Sequence, residues 1–174
     1  MTEISRPIRN TTSLAPLAAI TGALTALQRL AQPDLVSLAL RLALAVPFWK
    51  SGILKWDGFL QLSDTAVDLF TQEFMLHLPG GPYPYPAPTL MAFLSGCGEV
   101  VFSTLLIIGL ATRFAGLGLL GMTLVIQLTV PEGWPIHLTW VAMALAIIRL
   151  GPGRMSIDHV IARIWSRSPQ VMVS

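Results

Sequence analysis

Residues 89–110 read TLMAFLSGCGEVVFSTLLIIGL, with Glu99 the single charge in an otherwise apolar run. A helix needs about 20 mostly apolar residues to cross the hydrocarbon core of a bilayer, and this stretch supplies them. Working outward, three more runs qualify: Leu35 to Trp56 before it, then Phe114 to Val130 and Pro135 to Leu150 after it. The links Ala111-Thr112-Arg113 and Pro131-Glu132-Gly133-Trp134 are tight, which makes successive helices antiparallel neighbours. The expected fold is an all-α membrane protein, a four-helix transmembrane bundle spanning residues 35–150.

Bulk composition agrees. Hydrophobic residues make up 53% of the 174 and charged residues 11%, against about 25% charge in soluble domains. So few charges cannot cover a soluble core, whereas a lipid-facing exterior needs none. The net charge of +2 gives no electrostatic footprint for nucleic acid. Cys97 is the lone cysteine, so neither a CxxC pair nor an internal disulfide is available. His77, His137 and His159 show no metal-ligand spacing, and no metal is expected. Arg6 and Arg9 precede an apolar stretch that lacks a small-residue cleavage site, so it does not read as a signal peptide.

Residues 1–34 form an extension in which Leu17, Ile20, Leu24 and Leu27 recur at helical spacing. This predicts an amphipathic helix over 14–30 lying in the membrane interface. A fifth span is the rival reading, and it would place the termini on opposite sides. The tail, 151–174, turns at Gly151-Pro152-Gly153 and then carries Ile157, Val160, Ile161, Ile164 and Trp165 as an apolar stripe, a second interfacial helix. The long link after Trp56 opens on Asp57-Gly58, a turn signal. It then offers Ser63 as the cap of a short helix with Leu69, Phe70 and Phe74 on its apolar face, and runs through five prolines between Pro79 and Pro88. That proline density excludes helix or central strand and favours extended chain.

Arginine placement sets the expected orientation. Arg6, Arg9 and Arg29 precede the first span, Arg113 occupies the second link, and Arg149, Arg154, Arg163 and Arg167 close the fourth span and the tail. The long link has Asp57, Asp64, Asp68 and Glu73 with no lysine or arginine. Both termini are therefore expected in the cytoplasm and the acidic link outside, with Trp49, Trp56, Trp134 and Trp140 near the outer boundary.

Arg41, Lys50, Lys55 and Glu99 are ionisable and lie inside predicted spans. A charge at the membrane centre costs about 2.5–3.5 kcal/mol on insertion scales, so it pairs, snorkels or lines a wet cavity. At about 1.5 Å per residue, Glu99 lies in height between Arg41 and Lys50, and either is the expected partner. These two cations, nine residues apart, point to opposite helix faces, whereas Arg41, Phe48 and Lys55 share one. Lys55 is expected to snorkel to the outer surface. The ion pair has two readings, a lock between the first two helices or a group that handles a ligand or proton. The small residues Ser95-Gly96-Cys97-Gly98 around Glu99, and Ala115, Gly116, Gly118 and Gly121 in the third span, allow close helix packing or leave room for a ligand. Gln127, His137 and Trp140, with Lys50, are expected to line an outward-facing polar pocket in which a histidine can bond a quinone carbonyl or pass a proton.

Three blocks then fall into a familiar order: Phe48-Trp49-Lys50-Ser51-Gly52-Ile53-Leu54-Lys55, Leu106-Ile107-Ile108-Gly109-Leu110-Ala111-Thr112-Arg113, and Gly151-Pro152-Gly153-Arg154-Met155-Ser156-Ile157-Asp158. With Glu99 between the first two, the stretch from Leu35 to Asp158 resembles the DoxX family of small four-helix membrane proteins. Arg41, Gly52, Lys55, Glu99, Gly109, Arg113 and Asp158 match its pattern. The resemblance implies a bundle in a bacterial or archaeal inner membrane. It also implies a subunit or accessory protein of a redox assembly, since the family is named for a subunit of a thiosulfate:quinone oxidoreductase. The expectation is thus a chain without an intrinsic cofactor that binds a quinone or a protein partner in its outer half and acts, at most, as one subunit of an oxidoreductase. The alternative is a non-catalytic scaffold or assembly factor working through the acidic proline-rich link. A transporter ranks last, because no inverted repeat is evident.

Overall fold

A computed structural model describes residues 15–166; Arg6, Arg9, Leu14 and Arg167 lie outside the described residues. Two compact units divide at Pro33 and Asp34. The first contributes helix α1, Ala15–Leu30, whose Ile20, Leu24 and Leu27 form one exposed apolar stripe.

The second unit contains the bundle. Among the described residues, four helices are long and apolar enough to cross a membrane: α2 Pro33–Ile53, α4 Pro88–Ile108, α5 Thr112–Thr129, and α6 Trp134–Leu150 extended by the 3-10 turn Pro131–Gly133. Their bounds fall within three residues of the sequence reading. α2 and α5 run from what we call the tail end towards the link end, and α4 and α6 run back. The core is a column of Leu44, Ala45 and Phe48 from α2, Leu106 from α4, Ala115 and Leu119 from α5, and Ala144 and Ile147 from α6. Every other large apolar side chain on these helices faces outward or sits at the edge of this column, as a lipid-facing exterior requires.

The long link is more ordered than its composition suggests. Strands β1 Trp56–Gly58 and β2 Gln61–Leu62 form a small hairpin. Its turn is at Phe59 and Leu60, with Leu60 at φ 56°, so Asp57-Gly58 belongs to the strand and not to the turn. Helix α3, Asp64–Asp68, is capped by Ser63, whose hydroxyl accepts from the Ala66 N–H at 3.2 Å. It runs on through a π-helical turn at Leu69–Glu73 that buries Phe70. Strands β3 Met75–Leu78 and β4 Gly81–Pro84 then pair antiparallel. Pro82 and Pro84 are tolerated because a two-stranded ribbon leaves them at an edge. This ribbon lies on α5, with the His77 ring Nδ1 3.1 Å from the Leu128 carbonyl, and Tyr85 and Thr129 sharing a hydroxyl bond of 2.5 Å. The acidic side chains Asp57, Asp64, Asp68 and Glu73 all face outward.

The tail closes the opposite end. Ser37 donates to the Gly151 carbonyl at 2.8 Å, and Asp34 accepts the Arg154 backbone N–H at 2.8 Å. Helix α7, Ile157–Trp165, follows, capped by Ser156.

Candidate functional site

The structure pairs Glu99 with Lys55, at 2.6 Å, and with neither Arg41 nor Lys50. The reason is where α2 and α4 cross. Gly52 is buried at the crossing, and a Cβ there would lie 2.9 Å from Glu99 Cβ and from Val100 Cγ2. The face of α2 that meets Glu99 is therefore the Gly52 face, and Lys55 is three residues on, one helical step along it. Lys50 points away and is exposed. Arg41 shares the face but lies eleven positions, about 16 Å, towards the tail end. Because α2 stops at Ile53, the chain turns and Lys55 folds back instead of snorkelling outward. It donates to the Ser51 hydroxyl at 3.0 Å and to Glu99. Ser51 and, more distantly, Ser95 donate to the other Glu99 oxygen, at 3.3 and 3.5 Å. The Glu99 side chain is 4% exposed and that of Lys55 14%, so the carboxylate is the deeper partner.

This cluster forms the polar floor of a cavity of about 560 Å³. Its walls come from Phe102 and Met91 on α4, Met122 on α5, Trp140 on α6, and Phe70 and Tyr85 from the link. The glycines differ in purpose. At Gly118 a Cβ would strike the Phe102 ring at 2.7 Å, and at Gly98 it would press Met122 at 3.0 Å, whereas at Gly121 it would meet nothing within 4 Å. Gly121 thus borders open space at the exposed rim of the cavity, while Gly98 and Gly118 let α4 and α5 approach.

Trp140 joins this cavity, its ring tilted against those of Phe48 at 4.9 Å and His137 at 5.2 Å. The polar pocket expected of Gln127, His137, Trp140 and Lys50 is not assembled. His137 is buried under Gly133, bonded through Nδ1 to Gln127 Oε1 at 2.8 Å, and Gln127 donates to the Pro131 carbonyl at 3.0 Å. Neither lines the cavity; together they tie the ends of α5 and α6. Trp56, expected at the outer boundary, also packs inward, its ring on the bare backbone of Gly96 and edge-on to Phe93 at 5.3 Å.

The remaining family-pattern residues form a second cluster at the tail end. Arg41 is fully buried and donates to the Leu106 and Met155 carbonyls, at 3.4 and 2.5 Å. It caps the C-terminal end of α4, where the helix dipole favours a cation. Gly109, at φ 71°, leaves the space that a Cβ would take from Arg41 and Ser156. Asp158 accepts the Ala111 and Thr112 backbone N–H groups at 2.8 and 2.9 Å, and its own N–H donates to the Gly109 carbonyl at 2.9 Å. Ala111 has no capping side chain, so Asp158 caps α5 from another part of the chain. Burial pushes the Asp158 carboxyl up, but the Thr112 and Ala111 bonds and the Arg41 charge outweigh it and hold the group below the usual carboxylate range. Arg113 donates to the Ile148 carbonyl at 3.2 Å beneath Gly151. Among the described residues no group of histidine, cysteine or carboxylate side chains is placed to hold a metal.

Comparison with known proteins places the geometry in context. A protein of Haemophilus influenzae described only as uncharacterized is 28% identical over 143 residues, covering 74% of this chain and 84% of its own. No solved structure gives a significant match. The DoxX family matches residues 36–132, which takes in the Gly52 crossing, Lys55, Glu99 and the Gly109 turn, and the chain belongs to the DoxX family of membrane proteins.

Proposed function

We propose that this protein is an inner-membrane subunit or accessory protein of a bacterial redox assembly, and that its cavity holds the head group of a lipid-soluble quinone. The carrying observation is a largely apolar cavity of about 560 Å³ with one ion pair on its floor. That volume is in the range of small-molecule sites, about 300–1,000 Å³, and apolar walls with few convergent polar groups are their usual lining. The cavity reaches the bundle surface between α4 and α5, since Leu94 and Val125 line it and are 53% and 47% exposed. An isoprenoid chain can lie there in lipid while the ring reaches inward. The Lys55 ammonium and the Ser51 hydroxyl are then donors to a quinone carbonyl, and Glu99 is the acceptor for a quinol hydroxyl. Quinone reduction takes two electrons and two protons; the electrons come from a partner protein, and the Lys55–Glu99 pair exchanges protons at the ring. Arginine placement supports both termini in the cytoplasm, which puts the cavity in the outer half.

The test is quinone binding to the purified chain in nanodiscs, with Glu99→Gln and Lys55→Met beside the parent. Loss of a charge-assisted bond is expected to weaken binding roughly tenfold. If the parent shows no measurable binding the reading fails. A second reading, a scaffold for a basic partner, is favoured by the outward-facing Asp57, Asp64, Asp68 and Glu73 of the link. Capture of a partner that is lost on neutralising these four, with quinone binding unchanged, would support it.

A further inference from the structure

Helix α7 has an apolar face that no part of the described chain covers. At 100° per residue Ile157, Val160, Ile161, Ile164 and Trp165 fall in one arc, with Asp158, His159, Ala162, Arg163 and Ser166 opposite. Ile164 is 65% and Trp165 78% exposed. Two observations say what meets this face. The first is its height. α6 ends at Leu150, and the N-terminal turn of α7 is fastened to the tail ends of α4 and α5 by Asp158 and by its N–H to Gly109. Those helix ends are where a membrane-spanning bundle leaves the hydrocarbon, so α7 starts at the lipid interface and its stripe continues the bundle's lipid-facing surface. The second is charge. Arg154, His159 and Arg163 border one open groove along the edge of the stripe, and Arg149 lies exposed one residue before the bundle ends.

We propose that α7 docks on the membrane surface as an anionic-lipid contact, with its apolar stripe sunk between acyl chains and Arg154 and Arg163 on phosphate-bearing head groups. Asp158 of this helix also caps α5, so the docking helix is tied to the tail end of the bundle. The lipid is the partner in preference to a second copy of the chain, since the face joins a surface already committed to lipid and basic groups line its edge.

The experiment uses the full chain carrying Cys97→Ala and Ile161→Cys, labelled with a polarity-sensitive fluorophore. It is reconstituted in nanodiscs of phosphatidylcholine, alone or with phosphatidylglycerol. The label is expected to report an apolar environment with phosphatidylglycerol and a wetter one without it. Each arginine near an anionic surface favours docking about fivefold. Arg154→Gln with Arg163→Gln is therefore expected to lower the docked-to-undocked ratio about 25-fold in the anionic discs only, and added salt to act in the same direction. These substitutions leave the Arg154 backbone bond to Asp34 in place and remove only an exposed 4.0 Å side-chain contact with the same carboxylate, which contributes little, and an unchanged thermal midpoint checks the fold. A label that stays in water in both lipids overturns the proposal. Equal burial in both lipids, indifferent to the double substitution, overturns its anionic part. Self-quenching that grows with the number of chains per disc assigns the face to a second copy and overturns it as well.

Discussion

Removing Lys55 and removing Glu99 are expected to have unequal costs. Lys55→Met strands a carboxylate whose side chain is 4% exposed, left with bonds only from Ser51 and Ser95 at 3.3 and 3.5 Å. Breaking a buried pair from one side costs about 3–5 kcal/mol, and the two remaining hydroxyl donors argue for the lower end, about 3 kcal/mol. Glu99→Gln strands an ammonium that is 14% exposed, just beyond the end of α2, and still bonded to Ser51. That cation can turn towards water, so about 1 kcal/mol is expected. Replacing both removes the buried charges together and is expected to cost little more than the milder single change, which makes the coupling energy about 3 kcal/mol. Lys50→Met, on an exposed face, is expected to be neutral within about 0.5 kcal/mol. Reversible unfolding of the reconstituted chain gives the four free energies. Additive single costs, with coupling under about 0.5 kcal/mol, would refute the pairing, and a large loss at Lys50 would refute the placement of the Gly52 crossing.

The other expectations concern the glycines and the tail. Gly109→Ala puts a Cβ into the Arg41 and Ser156 contact at φ 71°, and thermal unfolding is expected to show a loss of about 2–3 kcal/mol. Gly121→Leu fills the cavity where a Cβ meets nothing within 4 Å, so quinone binding is expected to disappear while the unfolding midpoint hardly moves. Asp158→Asn is expected to cost about 1–2 kcal/mol at neutral pH by weakening the α5 cap. The Asp158 carboxyl sits below its unfolded value in the folded chain, so its contribution is complete above about pH 3.9 and fades as pH falls through the folded value. The gap between parent and Asp158→Asn should therefore close in acid; a gap independent of pH would show that the charge has no part in the cap.

Four spans, two tight turns and the capped helix of the link were determined by sequence alone, since each depends on local quantities: apolar run length, a Ser63 cap, short connections. The same is true of the exposed apolar stripe of α7, which follows from helical spacing. The partner of Glu99 was not local. Rise per residue placed it between Arg41 and Lys50 in height, but an ion pair also needs a shared face, and the face is set by how closely α2 approaches α4. Gly52 decides that, and the clue was present in the grouping of Arg41, Phe48 and Lys55 on one side of the helix. The roles of Arg41 and Asp158 were equally hidden. Each serves a helix end far away in the chain, the α4 carbonyls and the α5 N–H groups, and sequence spacing carries no signal for a cap supplied from a distance. His137 and Gln127 satisfied each other once α5 and α6 packed, because a buried histidine takes the polar partner at its own height before it reaches a cavity. Sequence fixes what each segment is; only the crossing points of the helices decide which polar groups meet, since contact between distant residues depends on backbone approach and not on their separation along the chain.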